Sequence, residues 1–311
     1  MVEVELKFQI PEARRNALLK ALDPKKSEII QLQAKYYDTE DRLLSKNHAA
    51  LRQRLEGTRW IQTLKAAGKS HLHRFEDNAD LGELEQAPNL DLSLYEANPT
   101  AKEILNQALG QQADQLKLQF ETDIQRTLRV ITFEDAEIEI SLDIGEVRTE
   151  SATQEIHEVE FELKSGSIQS LLAFSVEWVK KYQLWLDVRS KAEFGALLVA
   201  QKHVSPATGA KEAIFNKKDS ADQNLRLLIA NHLQHLLPNI AAISAQVAED
   251  EHVQQAQLAL HHLHLSLSLL SDWTDHKVDK WAHQLSAFES HFNNLQHFVH
   301  LHRTLGALLH T

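Results

Sequence analysis

The chain contains no cysteine, which removes disulfides, zinc–thiolate sites and cysteine nucleophiles from consideration. It has no GxxxxGKS/T loop, no GxGxxG turn and no GxSxG elbow, so the common glycine-loop routes to nucleotide binding have no support. It also lacks an excess of positive charge. The net charge is −11, so a broadly basic surface that would bind nucleic acid is not expected. No apolar run approaches the length needed to cross a bilayer. The opening MVEVELKFQI carries charges within its first ten residues, unlike a secretory signal. These absences lead to the expectation of a cytoplasmic protein with neither a membrane nor a nucleic-acid partner.

What remains is the composition of a folded chain with room for two domains: 311 residues, 43% hydrophobic and 25% charged. The texture changes near residue 205. Before it, period-two alternation dominates; after it, the chain is rich in Leu, Ala and His at helical spacing. KHVSPATGAKE, with Pro206 and Gly209, reads as the linker. The expected domains are 1–205 and 212–311.

Residues 2–9 alternate strictly. Val2, Val4, Leu6 and Phe8 lie on one face, and Glu3, Glu5, Lys7 and Gln9 on the other, which predicts a two-faced strand. Further strands are predicted near 29–37, 49–56, 59–66, 72–79, 119–133, 136–148 and 155–164, with a hairpin at Gly57. Helices are predicted near 12–22, 100–109, 167–181 and 191–201. The strands are expected to meander, mostly antiparallel.

The polar faces are dense in ionised groups. Arg52 and Arg54 share a face, as do Thr63 and Lys65, Arg74 and Glu76, and Glu139, Ser141 and Asp143. Glu158, Glu160 and Glu162 form another set, continued by Lys164. Consecutive like charges on one face repel unless cations sit among them, so turning these faces inward would pool carboxylates and cations in one lumen. Clustered carboxylates without Cys favour hard cations, Mg²⁺ or Mn²⁺. Arginines suit bidentate phosphate contact and lysines act as point charges. Together they are the equipment of phosphoryl transfer.

Glu3-x-Glu5-x-Lys7 resembles the ExExK signature of the CYTH superfamily of triphosphate tunnel metalloenzymes. Tyr37-Asp38-Thr39, Leu51-Arg52-Gln53-Arg54, Thr63-Leu64-Lys65, Arg74 with Glu76, Thr122-Asp123 with Arg126, Glu139 with Asp143, the Glu158–Glu162 run and Ser190-Lys191 resemble later family segments, in the family's order. The resemblance covers about residues 1–200. It implies an α+β fold: an eight-stranded antiparallel tunnel, open at both ends, with flanking helices, followed here by an all-α bundle. It also implies binding of a triphosphate with divalent metal. On it, Glu3, Glu5, Glu76, Glu139, Asp143, Glu158, Glu160 and Glu162 are expected to serve the metal. Lys7, Arg52, Arg54, Lys65, Arg74, Arg126, Arg189 and Lys191 are expected to hold phosphate, and Glu5, Lys7 and Lys65 to act in catalysis.

Beyond residue 211, three tracts predict helices: 225–237, ended by Pro238; 253–270; and one or two more over 281–309. An antiparallel four-helix bundle is the economical packing. The second tract resembles the first patterned helix of a CHAD domain in apolar spacing, but Gln257, His261, His262 and His264 replace its arginines. The domain is therefore expected to be a shortened, degenerate CHAD-like module. Fourteen of the 18 histidines follow residue 202, which makes a titratable surface conceivable, and the module is a candidate dimer interface.

The function expected is metal-dependent hydrolysis of inorganic triphosphate to diphosphate and phosphate. A class IV adenylate cyclase, a thiamine or nucleoside triphosphatase, and a non-catalytic polyphosphate-binding module stay open as alternatives.

Overall fold

A computed structural model of the chain describes residues 4–70, 73–213, 215, 217–271 and 285–286. It divides into two units, Met1–His203 and Val204–Thr311.

The first unit is built on one antiparallel sheet of nine strands: β1 (Glu5–Gln9), β2 (Glu28–Asp38), β3 (Ala49–Glu56), β4 (Arg59–Ser70), β5 (His73–Glu83), β6 (Lys117–Phe133), β7 (Ala136–Arg148), β8 (Thr153–Ser165) and β9 (Trp185–Leu186). Their order is β5-β4-β3-β2-β6-β7-β8-β1-β9. The eight strands predicted from alternation are joined by the two-residue β9, which pairs with β1 through Phe8 and Gln9. A segment that short carries no periodic signal. The expected hairpin between β3 and β4 turns at Gly57, whose φ of 61° suits glycine.

Because successive side chains alternate faces, each strand presents one apolar and one mixed face. On β1, β3, β4, β7 and β8 the apolar faces lie outward, under helices, whereas on β2 and β6 they lie inward. Phe8, Ile138, Ile140, Leu142, Val159 and Phe161 pack against Leu18 and Leu22 of α1 (Arg15–Leu22) and Leu171 and Phe174 of α4 (Ile168–Tyr182). Leu51 and Leu64 pack against Leu44 of α2 (Leu43–Lys46) and Ala101, Leu105 and Leu109 of α3 (Pro99–Leu109). Each such fully buried side chain contributes about 1.5–3 kcal/mol. Local chemistry starts the longer helices. Asn98 accepts from the Thr100 and Ala101 N–H groups ahead of α3, and Ser167 accepts from Ser170 N–H ahead of α4.

The opposite, inward face is polar along one part and apolar along the other. The apolar part (Leu32, Ala34, Tyr36, Phe120, Ile124, Val147 and Ile156) is covered by Phe194 and its neighbours on α5 (Lys191–Val199). The resemblance implied an antiparallel tunnel with flanking helices, and α5 is one such helix, laid on the apolar stretch because those side chains need cover from water. The fold is tunnel-like, with one section of its inner wall occupied by a helix.

In the second unit, α6 (Ala221–Ser244) and α7 (Asp250–Ser271) pack through Leu236, Ala256, Ala259, Leu260 and Leu263. Ser220 and Gln223 form a capping box at the start of α6. Pro238 was expected to end the first tract. It lies inside α6 instead. The buried Asn239 amide bonds the His235 carbonyl at 2.7 Å and exchanges two bonds with the Thr208 backbone. These bonds and the packing on α7 hold the turn that proline weakens. The helices predicted over 281–309, and with them the four-helix count, lie outside the described residues apart from 285 and 286. No described helix is long and apolar enough to cross a membrane.

Candidate active site on the inward face

Cross-strand register places the charged residues in rows, since directly paired residues share a face. One row reads Gln9–Glu158–Asp143–Arg126 across β1, β8, β7 and β6. The next reads Lys7–Glu160–Ser141, and the third Glu5–Glu162–Glu139. On the other half of the sheet, Arg52 pairs with Thr63 and Tyr36, Arg54 with Ala34, Lys65 with Glu76, and Thr63 with Asn78. All belong to the same face, because Tyr36 and Ala34 continue through Phe120 and Thr122 into β6.

The first two rows converge. Asp143, Glu158 and Glu160 bring carboxylate oxygens within 4.8 Å of one another, the one such group of possible metal ligands among the described residues. Arg126 donates twice to Asp143, at 2.7 Å and 2.7 Å, and once to Glu160 at 2.7 Å. Lys191 Nζ lies 2.7 Å from Asp143 and 3.2 Å from Glu160, and also bonds Glu158. Lys7 bonds Glu158 at 3.3 Å and donates to the Arg189 carbonyl. Asp143 and Glu158 are wholly buried, Lys7 nearly so, and Glu160, Arg126 and Lys191 remain 16–17% exposed, so three cations and three carboxylates neutralise one another in a largely buried cluster.

The protonation states follow. Burial disfavours the Glu160 carboxylate, yet Lys191, Arg126 and Lys7 outweigh it and hold Glu160 well below the usual carboxylate range. Burial likewise opposes the Lys191 ammonium, and Asp143, Glu158 and Glu160 overcome it and raise its pKa well above the ordinary lysine value. Arg126 is raised in the same way, by Glu160 and Asp143 against burial.

The basic half differs in character. Burial lowers the Arg54 pKa to about 10, with Arg52 and Arg126 adding repulsion against the help of Glu56. The Nε atoms of both Arg52 and Arg54 are buried without a hydrogen-bond partner. Such donors are costly to leave unmade, and an anion with several oxygens would satisfy them. Glu76 bonds Lys65; against burial, Lys65 and Arg52 bring its pKa down to about 2.

The expected metal residues thus separate. Asp143, Glu158 and Glu160 are gathered. Glu5, Glu139 and Glu162 form a row beside them, with Lys164 within 3.6 Å of Glu139 and 3.0 Å of Glu162. Glu76 stands apart on β5, committed to Lys65. Glu3 lies outside the described residues. So does the side chain of Arg74, whose backbone pairs with Ala67. Of the expected phosphate residues, Lys7, Arg52, Arg54, Lys65, Arg126 and Lys191 share that face or reach it. Arg189 does other work: its guanidinium grips the buried Asp187 at 2.9 Å and 2.8 Å and lies over the Phe194 ring.

Two contributors escaped the sequence reading. Gln9 donates to Glu158 at 3.2 Å; its place in the alternation beside Lys7 was the available signal. Asp187 had none, because its role rests on a partner two residues away in an irregular segment. Asp38, in the tyrosine-containing segment, accepts from the Thr39, Leu44 and Ser45 N–H groups and so anchors α2. Among the described residues His261, His262 and His264 form no group of metal ligands; the His262 ring lies 5.3 Å from that of His232 on α6 and 6.1 Å from that of His261, centroid to centroid.

The donor set suits a hard divalent cation, for it offers carboxylate oxygens and neither thiolate nor imidazole. Comparison with known proteins agrees with the geometry. The inorganic triphosphatase of Haemophilus influenzae is 33% identical over 174 residues, 55% of this chain and 46% of that protein. The chain therefore spans about half the length of the curated relative it matches. A Hippeastrum structure, described as revealing a dominant triphosphatase activity, has 15% identity and a TM-score of 0.44, covering 66% of this chain and 98% of its own. A Pyrococcus horikoshii protein has 19% identity and a TM-score of 0.37, covering 64% and 99%. These distant folds add nothing to the assignment, which stands on the family match itself. A CYTH domain is matched over residues 1–193, and the chain belongs to the CYTH domain family.

Proposed function

We propose that this protein hydrolyses inorganic triphosphate to diphosphate and phosphate, with Mg²⁺ or Mn²⁺ as cofactor. One observation carries the reading. The converging carboxylates of Asp143, Glu158 and Glu160 share one sheet face with Lys7, Arg52, Arg54, Lys65 and Arg126, and Lys191 reaches them from α5. A relative named inorganic triphosphatase supports the choice of substrate.

Asp143, Glu158 and Glu160 would hold the cation, and Glu5, Glu139 and Glu162 lie one row away along the same strands. When bound, a divalent cation supplies charge neutralisation of phosphoryl oxygens and lowers the pKa of water. Arg52 and Arg54 would offer their guanidinium groups to phosphate oxygens. Lys65, spaced from Glu76 by a direct ion pair, adds a point charge on the same side. Arg126, fixed by two bonds to Asp143, orients that carboxylate and presents its outer edge to the substrate. Water adds to the terminal phosphorus, the bridging P–O bond breaks, and diphosphate leaves; the positive wall stabilises the charge that develops on the leaving oxygens.

The test is phosphate release from triphosphate, ATP and thiamine triphosphate in parallel, with Mg²⁺, Mn²⁺ and chelator. Fastest release from triphosphate, abolished by chelator, is expected. Faster release from ATP or thiamine triphosphate, or formation of cyclic AMP from ATP, would move the activity elsewhere in the family's chemistry. Tight polyphosphate binding without turnover would make the domain a binding module.

A further inference from the structure

Lys191 occupies an unusual place. It is the first residue of α5, directly after Ser190, whose side chain accepts the Glu193 N–H and so holds the helix start by itself. From there its four-carbon stem brings Nζ to all three carboxylates, Asp143, Glu158 and Glu160. Those are the oxygens that converge within 4.8 Å. A cation coordinated by the same three groups would need the volume now filled by the ammonium.

The three cations of the cluster are not equally able to leave. Arg126 projects from the middle of β6, and its forked guanidinium makes three bonds of 2.7 Å. Lys7 sits in β1 with its Nζ also bonded to a backbone carbonyl, that of Arg189. Lys191 is bonded through a flexible stem, by carboxylates alone among its recorded partners, and neither the sheet nor the Ser190 cap has to move for it to withdraw.

We propose that Lys191 is the resident counter-ion of this carboxylate pocket: its ammonium holds the position of the divalent cation and swings out when the cation binds. This rests on the metal assignment made above. The charge balance adds a consequence. With three cations already facing three carboxylates, a divalent ion added without displacement leaves the buried cluster two charges positive, which the low-dielectric surroundings resist. Withdrawal of Lys191 relieves half of that excess. A polyanion on the Arg52 and Arg54 side relieves the rest and offers the released ammonium new oxygens. Metal and polyphosphate binding therefore reinforce each other, with Lys191 as the moving part.

Two measurements decide it. In the wild-type chain, acetylation of the Lys191 ε-amine is followed by mass spectrometry with and without saturating Mn²⁺, with exposed Lys202 as reference. Labelling of Lys191 rises several-fold on Mn²⁺ binding while the reference is unchanged. By calorimetry with Mn²⁺ alone, K191M, which keeps the stem and loses the charge, binds about tenfold more tightly than wild type. Unchanged Lys191 labelling with Mn²⁺ bound, or equal or weaker affinity in folded K191M, overturns the proposal while leaving the triphosphatase reading intact. If K191M does not fold, the wild-type labelling decides alone. If wild type takes up neither Mn²⁺ nor Mg²⁺, with or without triphosphate, both readings fall together.

Discussion

Arg126 and Asp143 face each other directly across β6 and β7, and the guanidinium closes on the carboxylate from Nε and Nη2 at 2.7 Å each. Asp143 has no exposed surface. Removing Arg126 leaves three buried carboxylates facing two cations, with Asp143 held by Lys191 alone. R126M is therefore expected to destabilise the chain by about 3 kcal/mol or more, read by urea unfolding. R126M combined with D143L should recover a large part of that loss, because no charge is left alone. A double variant no more stable than R126M would show that the pair does not act as a unit.

Glu76 and Lys65 provide a pH signature. The folded Glu76 pKa is about 2, below its ordinary 4.5. A depressed carboxylate contributes stability that is present above the unfolded pKa and lost as pH falls through the folded one. The stability gap between wild type and E76Q should be constant above pH 4.5 and shrink steadily as pH drops toward 2. Unfolding curves at stepped pH measure it, and a gap that does not change with pH removes Glu76 as its source.

His232 makes the opposite end of the chain acid-sensitive. Its pKa lies below the ordinary 6.5 because burial disfavours the cation, with His262 and His235 adding repulsion. A histidine held neutral in the fold contributes stability above its unfolded pKa that is lost as pH falls through its folded value. Amide protection factors in α6 and α7, which correct for the slower intrinsic exchange at lower pH, should fall as pH is lowered below 6.5, and less so in H262Q. An equal fall in both proteins would place the acid response elsewhere.

Gly195 ties α5 to the sheet. A Cβ there would overlap the Phe120 ring. That ring is buried and stacked on Tyr36, with centroids 4.5 Å apart, so it has no free space to enter. G195A should cost about 1–3 kcal/mol by overpacking. It should also lower phosphate release, since α5 carries Lys191 to the carboxylates. F120L in the G195A background should restore both in part; restoration of stability without activity would separate the packing from the site.

Much of the inward face could be read in advance. The alternation of Glu5 and Lys7, or of Glu158, Glu160 and Glu162, assigns those side chains to one face of a strand, since the pleat repeats every two residues whatever the partner. The strands themselves, the hairpin at Gly57 and the helical character of the tract after residue 211 followed from the same periodicities. Elements without periodicity did not: the two-residue β9 has no pattern to show, and Pro238 gave a stop signal that Asn239 and packing on α7 override. Arg189 and Glu76 look like their neighbours in sequence. Asp187 and Lys65 claim them only in three dimensions.

Sequence by itself determined which side chains could face a common interior and that the pooled groups were carboxylates, arginines and lysines suited to metal and phosphate. It determined this because alternation is local, set by covalent geometry. Which of those carboxylates converge was decided by tertiary structure alone. Lys7 meets Glu158 across a sequence separation of 151, and Lys191 reaches Asp143 from a helix that covers the apolar wall. Strand register and helix placement are products of the whole packed core, and no local pattern encodes them.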